Sequence, residues 1–159
     1  MASASGFVLL ALPAAPAPRP LLVWNTTASA PLGLYWVRSA SGLVVGDPVV
    51  ARLPPAARAL AARRQYLPAG IPVVKRFAAI GGAIVCAVGT RITIDGRPVA
   101  IRLVRDRAGR ALPGWEGCRR LANGQAFLIG DGPDSFDSRY FGAVPRADLI
   151  GRAVLLWRR

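Results

Sequence analysis

Residues 24–36 read W-N-T-T-A-S-A-P-L-G-L-Y-W, and they predict a turn carrying Ser29 between a strand at 21–24 and a strand at 33–37. A serine hydroxyl is a weak nucleophile at neutral pH, so a catalytic serine needs a base beside it. The chain has no histidine and a single lysine, Lys75, in the segment I-P-V-V-K-R-F. Because a lysine base is a known variant of the Ser-His-Asp triad, Ser29 and Lys75 are the candidate nucleophile and base.

The composition favours one mainly β domain. The chain has 159 residues, of which 53% are apolar, enough for a real core and evidence against disorder over most of its length. It also has 17 glycines and 14 prolines, which favour strands and loops over a helical bundle. We therefore expect an all-β architecture with one short helix.

Local signals place the elements along the chain. A helix is predicted at 54–66, where prolines precede a segment rich in alanine and arginine. The dipeptide Asp95-Gly96 lies between R-I-T-I and R-P-V-A-I and predicts a β-hairpin. Residues 105–124 are expected to form a polar excursion. Strands are predicted at 21–24, 33–37, 48–53, 71–77, 83–88, 91–94, 126–129 and 154–157.

The first twenty residues contain a short apolar run from Phe7, followed by four prolines between positions 13 and 20. A helix that spans a bilayer needs roughly 20 apolar residues, and interior prolines break its hydrogen-bond ladder. The apolar run from Phe7 to Leu12 is therefore too short to span. It is interpreted as a residual anchor, the remnant of a truncated anchor or a weak signal-peptide core.

The charge and the cysteines leave alternatives open. The net charge of +13 comes almost wholly from arginine and predicts an anionic partner, either nucleic acid or phospholipid headgroups. A solvated arginine-rich surface is an equal alternative, because the arginines are scattered in pairs.

Cys86 and Cys118 cannot form a zinc site without further ligands, and no metal or other cofactor is expected. They are either one disulfide, which implies an oxidising compartment, or two unrelated buried thiols.

Three segments carry a family resemblance: T-A-S-A-P-L-G-L-Y at 27–35, V-V-K-R-F-A-A-I-G-G at 73–82 and S-F-D-S-R-Y-F-G at 135–142. In this order, they resemble the type I signal peptidases, a family of serine–lysine peptidases, and most closely the TraF-type branch encoded by conjugative-transfer systems. The resemblance implies a single catalytic domain at 21–159. Its implied fold is a signal-peptidase-like β-fold of coiled antiparallel sheets with one short helix and a β-rich insert around 83–124.

The resemblance also assigns roles to individual residues. Ser29 matches the nucleophile and Lys75 the general base. Thr27 matches a hydroxyl that completes the oxyanion hole with the backbone N–H of Ser29, and Ser135 matches a hydroxyl that orients the lysine amine. The other matches are Asp137 and Arg139, which brace the site; Pro31, Gly33 and Tyr35, in the turn and substrate groove; and Cys86 and Cys118, a disulfide. The alternative roles are turn stabilisation for Thr27 and Ser135 and an ordinary ion pair for Asp137 and Arg139.

The chemistry of Lys75 fits this resemblance. A free lysine has a pKa near 10.4, so it is protonated at pH 7 and cannot act as a base. Burial disfavours the charged form, and the neighbours of Lys75 in the sequence, such as Val74 and Phe77, are apolar. A nearby carboxylate would raise the pKa again. We therefore expect Asp137 to engage Arg139 and to stay off the amine.

The implied activity is that of a serine endopeptidase that works through an acyl-enzyme and cuts after small residues. In this branch the substrate is a pilin precursor or another exported protein, bound as an added strand. The acyl-enzyme is taken by water or, in transpeptidation, by an amine. The implied partners are this peptide and an anionic membrane surface, with no nucleic acid. The implied location is the bacterial inner membrane, with the catalytic domain on the periplasmic face.

Two other functions stay open. A self-cleaving repressor-type protein shares the serine–lysine pair, but it would need a cleavable Ala-Gly linker and usually a DNA-binding helix pair, which the 28 residues before Ser29 do not contain. A non-catalytic basic β-domain that binds nucleic acid or anionic membrane predicts salt-sensitive binding that is indifferent to Ser29→Ala. The chain also departs from the general-purpose signal peptidases: Ala30 replaces a common methionine, and I-G-G-A follows the lysine motif in place of P-G-D.

Overall fold

The computed structural model describes residues 22–159, so the apolar segment 1–20 and the first residue of the first predicted strand lie outside it. Eleven strands, two α-helices and one turn of 3-10 helix follow one another in this range. In chain order they are β1 (Leu22–Asn25), β2 (Gly33–Arg38), β3 (Pro48–Ala51), α1 (Pro55–Arg63), β4 (Val73–Ile80), β5 (Ile84–Val88), β6 (Arg91–Ile94), β7 (Arg97–Ile101), β8 (Gly117–Arg120), β9 (Gln125–Ile129), α2 (Ser138–Phe141), β10 (Val144–Pro145), the 3-10 turn (Arg146–Asp148) and β11 (Leu149–Arg158).

The larger sheet has seven antiparallel strands in the order β1-β2-β11-β3-β4-β9-β10. Strand β4 lies inside this sheet. Its residue Lys75 is paired with Val49 of β3, and the next residue, Arg76, is paired with Ile129 of β9. Lys75 points to the buried face of this interior strand, whereas Arg76 points to solvent, and the buried face is the environment that a neutral lysine requires.

The smaller sheet has four antiparallel strands in the order β7-β6-β5-β8. Strands β6 and β7 are joined at Asp95 and Gly96, which have φ values of 48° and 77°. Positive φ at both central residues is the type I′ geometry that matches the twist of a hairpin, so this predicted turn is confirmed. A disulfide joins Cys86 of β5 to Cys118 of β8, where the two residues are direct cross-strand partners.

The core is built from the inward faces of both sheets. One cluster under the larger sheet contains Tyr35 and Val50, and a second contains Phe77 and Leu128. A third cluster lies between the sheets and is centred on Phe127. Helix α1 covers a fourth cluster through its buried alanines. Strand β4, which carries Lys75, and strands β1 and β2, which flank Ser29, are therefore fixed through their buried faces.

The mainly β fold is confirmed, with differences in detail. The stretch 105–124, expected to be a polar excursion, contains strand β8, which pairs with β5 through exposed residues and so lacks an apolar pattern. The last strand begins at Leu149 rather than at 154. The structure adds the one-turn helix α2, which starts at the N-cap Asp137. Within residues 22–159, neither helix has the length and apolar character needed to cross a bilayer. The division of the chain into domains stays a prediction.

Candidate active site

Ser29 lies in the turn that joins β1 to β2, and it is buried although the turn is at the molecular surface. Its hydroxyl is 2.8 Å from Thr27 Oγ1 and 3.3 Å from the main-chain oxygen of Val74. Its own carbonyl accepts a hydrogen bond of 2.9 Å from the N–H of Asp131. The turn therefore fixes the hydroxyl against β4 on one side and against the loop after β9 on the other.

Lys75 reaches the same place from strand β4. Its side chain is 4% exposed, and Nζ donates a hydrogen bond of 2.6 Å to Ser135 Oγ. The pKa of the amine is lowered from 10.5 to about 8, mainly because burial disfavours the charged form; the Asp137 charge opposes this shift, and the Arg139 charge adds to it. A lysine with this pKa is partly neutral near neutral pH, which makes it a competent base.

One cavity of about 580 Å³ contains both groups. Ser29, Lys75, Thr27 and Ser135 all line it. Among the described residues, however, no direct hydrogen bond joins Ser29 Oγ to Lys75 Nζ; Ser29 contacts Thr27 and Val74, and Lys75 contacts Ser135. Such contacts are often long without substrate and shorten only in the substrate complex. The structure thus places the two predicted residues in one site, with their mutual bond unformed.

Asp137 and Arg139 form a buried ion pair. Arg139 Nε and Nη2 donate to the two carboxylate oxygens of Asp137 at 2.8 and 2.9 Å. The carboxylate also accepts from the N–H groups of Gly130 and Arg139, and it thereby caps helix α2. Arg139 donates further to the carbonyls of Ile101, Gly130 and Pro133. The pair therefore ties β7, α2 and the loop after β9 together, and Asp137 is engaged away from the Lys75 amine.

Gly130 is a site residue that the sequence analysis missed. A Cβ atom at this position would lie 2.0 Å from Ser135 Oγ and 3.0 Å from the Ser29 Cβ. Only glycine therefore leaves room for the two hydroxyl residues to face the same cavity. Its own N–H and carbonyl are both held by the pair of Asp137 and Arg139.

Pro31 lies in the turn and Gly33 and Tyr35 lie in the start of β2 that follows it, and none of the three lines the cavity. The Tyr35 hydroxyl donates a hydrogen bond of 2.7 Å to the Pro31 carbonyl. Gly33 has a φ of +147°, and a Cβ there would lie 2.0 Å from the Trp157 carbonyl of β11. The three residues shape the turn that presents Ser29. Their predicted part in a substrate groove stays a prediction.

Asn25 is the second residue that was missed. It ends strand β1, it is buried, and its carboxamide contacts Thr27, Ala30 and Pro31 around the turn. The signal in the sequence was a single polar residue between an apolar strand and the serine segment, a position where asparagine often bonds to nearby backbone.

The part of the cavity away from Ser29 has mixed chemistry. Leu53, Leu67 and Ile71 give it an apolar wall. Asp106 also lines the cavity, and it accepts hydrogen bonds from Tyr66 at 2.5 Å and from Arg110 at 2.7 Å. In the part of the chain that the structure describes, no group of three histidine, cysteine or acidic side chains is placed to hold a metal ion.

Comparisons with known proteins show the family to which the chain belongs. The family model of the signal peptidases, peptidase S26, matches residues 1–158. A probable conjugal transfer protein TraF of Sinorhizobium fredii is 36% identical over 140 residues, which cover 81% of this chain and 73% of that protein. A plasmid transfer protein TraF of Escherichia coli is 32% identical over 147 residues, which cover 84% of this chain and 82% of that protein. A crystal structure of a signal peptidase I from Enterococcus faecalis matches with 22% identity and a TM-score of 0.43, over 72% of this chain and 98% of that one.

Proposed function

Because the chain belongs to the signal peptidase family, peptidase S26, we propose that it is a serine endopeptidase with Ser29 as nucleophile and Lys75 as general base. The observation that carries this proposal is the buried Lys75 amine, with a pKa of about 8, in the cavity that also holds the Ser29 hydroxyl. At pH 7, roughly a tenth of such an amine is neutral, about 300-fold more than for a lysine with a pKa of 10.5.

The first step is attack on the substrate carbonyl. The Ser29 hydroxyl turns from Val74 and Thr27 towards Lys75 Nζ, which takes its proton as Oγ bonds to the carbonyl carbon. The oxyanion that forms is stabilised by the Ser29 N–H and the Thr27 hydroxyl, since donors fixed in a dry site act strongly on developing charge. Ser135 keeps the amine aimed at the cavity throughout.

The second step divides the substrate. Protonated Lys75 returns its proton to the leaving amine as the C–N bond breaks, and the acyl group stays on Ser29 as an ester. An incoming water gives hydrolysis, whereas an incoming amine gives a new peptide bond and hence transpeptidation. In both cases neutral Lys75 removes a proton from the incoming group and returns it to Ser29.

The substrate is a peptide that lies as an extra strand beside residues 71–74. Ile71, Pro72 and Val73 line the cavity before Lys75, and Ile71 is half exposed. In the described part of the chain, strand β9 pairs with β4 only from Arg76 onward, so the preceding residues have one unpaired side. Main-chain bonds to that side give affinity, and pockets for alternate side chains give specificity. The similarity to proteins named for conjugal and plasmid transfer supports a pilin precursor or another exported protein of a transfer system as the substrate.

An exposed aromatic face of the larger sheet supports a function at the surface of an anionic membrane. Leu22 and Trp24 of β1 share this face with Trp36 of β2, since Leu22 is paired with Trp36 across the strands. Trp24 also packs on Trp157, with ring centroids 5.5 Å apart. Tryptophan is enriched at bilayer interfaces. Together with the net charge of +13, this face favours binding to anionic lipid at the periplasmic side of the inner membrane.

The test is cleavage of the pilin precursor encoded by the same transfer system. Wild type is compared with Ser29→Ala and Lys75→Ala, and Ser41→Ala serves as a matched control because Ser41 is exposed and remote from the cavity. We expect cleavage by wild type and Ser41→Ala, and none by the other two variants with their fold retained. Undiminished cleavage by Ser29→Ala or Lys75→Ala contradicts the proposal.

A further inference from the structure

The carboxamide of Asn25 occupies the inside of the turn that carries the nucleophile. Asn25 is the last residue of β1, and 6% of its surface is exposed. A buried amide of this kind has to satisfy both of its ends, because an unpaired polar group is costly away from water. The structure satisfies both ends entirely with residues of the same turn.

The nitrogen of the Asn25 carboxamide donates to main-chain carbonyls of the turn. Asn25 Nδ2 lies 2.9 Å from the Thr27 carbonyl, 3.0 Å from the Ala30 carbonyl and 3.1 Å from the Pro31 carbonyl. Two amide hydrogens serve these three acceptors, so one hydrogen is shared. The three carbonyls before and after Ser29 are thereby held around one side chain.

The oxygen end binds Thr27. Asn25 Oδ1 accepts from Thr27 Oγ1 at 3.0 Å and from the Thr27 N–H at 3.3 Å. The orientation of the amide follows from its surroundings, because the reverse orientation would set the oxygen against three carbonyls and the NH₂ group against an N–H.

A direction of the hydrogen-bond chain follows from these contacts. The Thr27 hydroxyl has one proton, and Asn25 Oδ1 can only accept, so that proton points to Asn25. Thr27 Oγ1, 2.8 Å from Ser29 Oγ, then accepts the Ser29 hydroxyl proton, which it shares with the more distant Val74 carbonyl at 3.3 Å. In the resting site the chain runs from Ser29 to Thr27 to Asn25.

We infer that Asn25 is a positioning residue for the nucleophile, one that acts through Thr27. The inference rests on the proposed function, in which Ser29 attacks and the Thr27 hydroxyl, once the Ser29 proton has left, turns its own proton from Asn25 Oδ1 to the oxyanion. Asn25 sets the rotamer of Thr27 and the shape of the turn. It therefore keeps the hydroxyl groups of Ser29 and Thr27 in the same relative position in every turnover. Asn25 contacts no part of the substrate's reacting bond in this role.

A double-mutant cycle tests the inference. We expect Asn25→Ala to lower kcat about tenfold with KM within about twofold, because a positioning bond acts on the chemical step. Thr27→Val should lower kcat by a similar factor. If Asn25 acts through Thr27, the double variant should be no more than about twofold slower than the slower single variant.

Tyr35→Phe is the matched control. It removes the other side-chain hydrogen bond to the Pro31 carbonyl but leaves Thr27 untouched. The factors by which Tyr35→Phe and Thr27→Val each lower kcat should therefore multiply in the double variant. Multiplicative losses for Asn25→Ala with Thr27→Val, or an unchanged kcat in Asn25→Ala, would overturn the inference while leaving Ser29-dependent cleavage, and with it the proposed function, intact.

A second measurement depends neither on activity nor on the folding of a variant. In the wild-type protein, the side-chain NH₂ resonances of Asn25 should exchange with water far more slowly than those of Asn123, which lies in an exposed turn. Equal exchange at the two residues overturns the inference. Loss of cleavage in all proteins, with slow exchange at Asn25, would count against the proposed function and in favour of this arrangement of the turn.

Discussion

The amine of Lys75 donates a 2.6 Å hydrogen bond to the hydroxyl of Ser135, although the two residues are sixty positions apart. This bond aims the lone lysine of the chain into the cavity that holds Ser29. The Asp137–Arg139 pair holds the backbone of Gly130 by hydrogen bonds. Because Gly130 has no Cβ, there is room beside it for the Ser135 hydroxyl.

Ser135→Ala should lower kcat by about 10- to 100-fold, because a freely rotating amine is correctly aimed in only part of the molecules. KM for the peptide should change little, because Ser135 orients the base and does not carry the substrate. Steady-state kinetics on the precursor peptide measure both quantities. A variant with wild-type kcat would show that the amine is held by its strand alone.

The pH dependence of kcat/KM should follow the ionisation of Lys75. Because burial lowers the pKa of the amine to about 8, the rate should rise through pH 7 and level off above pH 9. Initial rates between pH 6 and 10 on one peptide give the midpoint. A rate that keeps rising tenfold per pH unit to pH 10 would mean an amine with an ordinary pKa.

Lys75→Met should stabilise the protein while it abolishes cleavage. Below pH 8 the folded state holds a buried ammonium, whereas methionine fills the same space without charge. From the shift of the pKa and the lost bond to Ser135, the free energy of unfolding at pH 7 should rise by about 2 kcal/mol.

The sign of this effect with pH is fixed by linkage. The folded pKa is about 8 and the ordinary value is 10.5, so between these values the unfolded wild type binds more protons. The wild type therefore gains stability as the pH rises through this window, and its deficit against Lys75→Met should shrink by pH 10.5. Urea unfolding of both proteins at pH 7 and 10 measures the difference. If Lys75→Met is less stable than the wild type at pH 7, the buried ammonium does not destabilise the folded state.

Asp137→Asn should cost about 3 kcal/mol of stability, because it leaves the buried Arg139 without its counterion. Burial is the main cause of the low pKa of Lys75, and the Asp137 charge opposes it. The midpoint of the kcat/KM profile should therefore move to lower pH in this variant. Asp47→Asn is the control, since its ion pair with Arg152 is partly exposed and its loss should cost about 1 kcal/mol or less. Full activity and stability in Asp137→Asn would exclude a bracing role.

The strands and the catalytic pair were open to prediction because their signals are local or unique. Short apolar segments and the Asp95-Gly96 turn predicted the strands, and a chain with one lysine and no histidine has few ways to activate a serine. Helix α2 carried a usable signal as well, because Asp137 at its N-cap and Gly142 after its end are typical helix boundaries.

The remaining site residues depend on contacts that no local pattern reports. Gly130 is needed only because Ser29 and Ser135 arrive on both sides of it from distant parts of the chain. Asn25 matters because its turn closes around its side chain. Strand β8 escaped prediction because it is held at the sheet edge by pairing and the disulfide, and its side chains face water.

The presence of a single lysine allows the central claim to be measured directly. Protein labelled with ¹³C and ¹⁵N only at lysine should give one Cε resonance, whose shift reports the ionisation of Lys75 as the pH is raised. The account predicts a midpoint at about pH 8. A midpoint above pH 10, the value of a lysine in water, would contradict it.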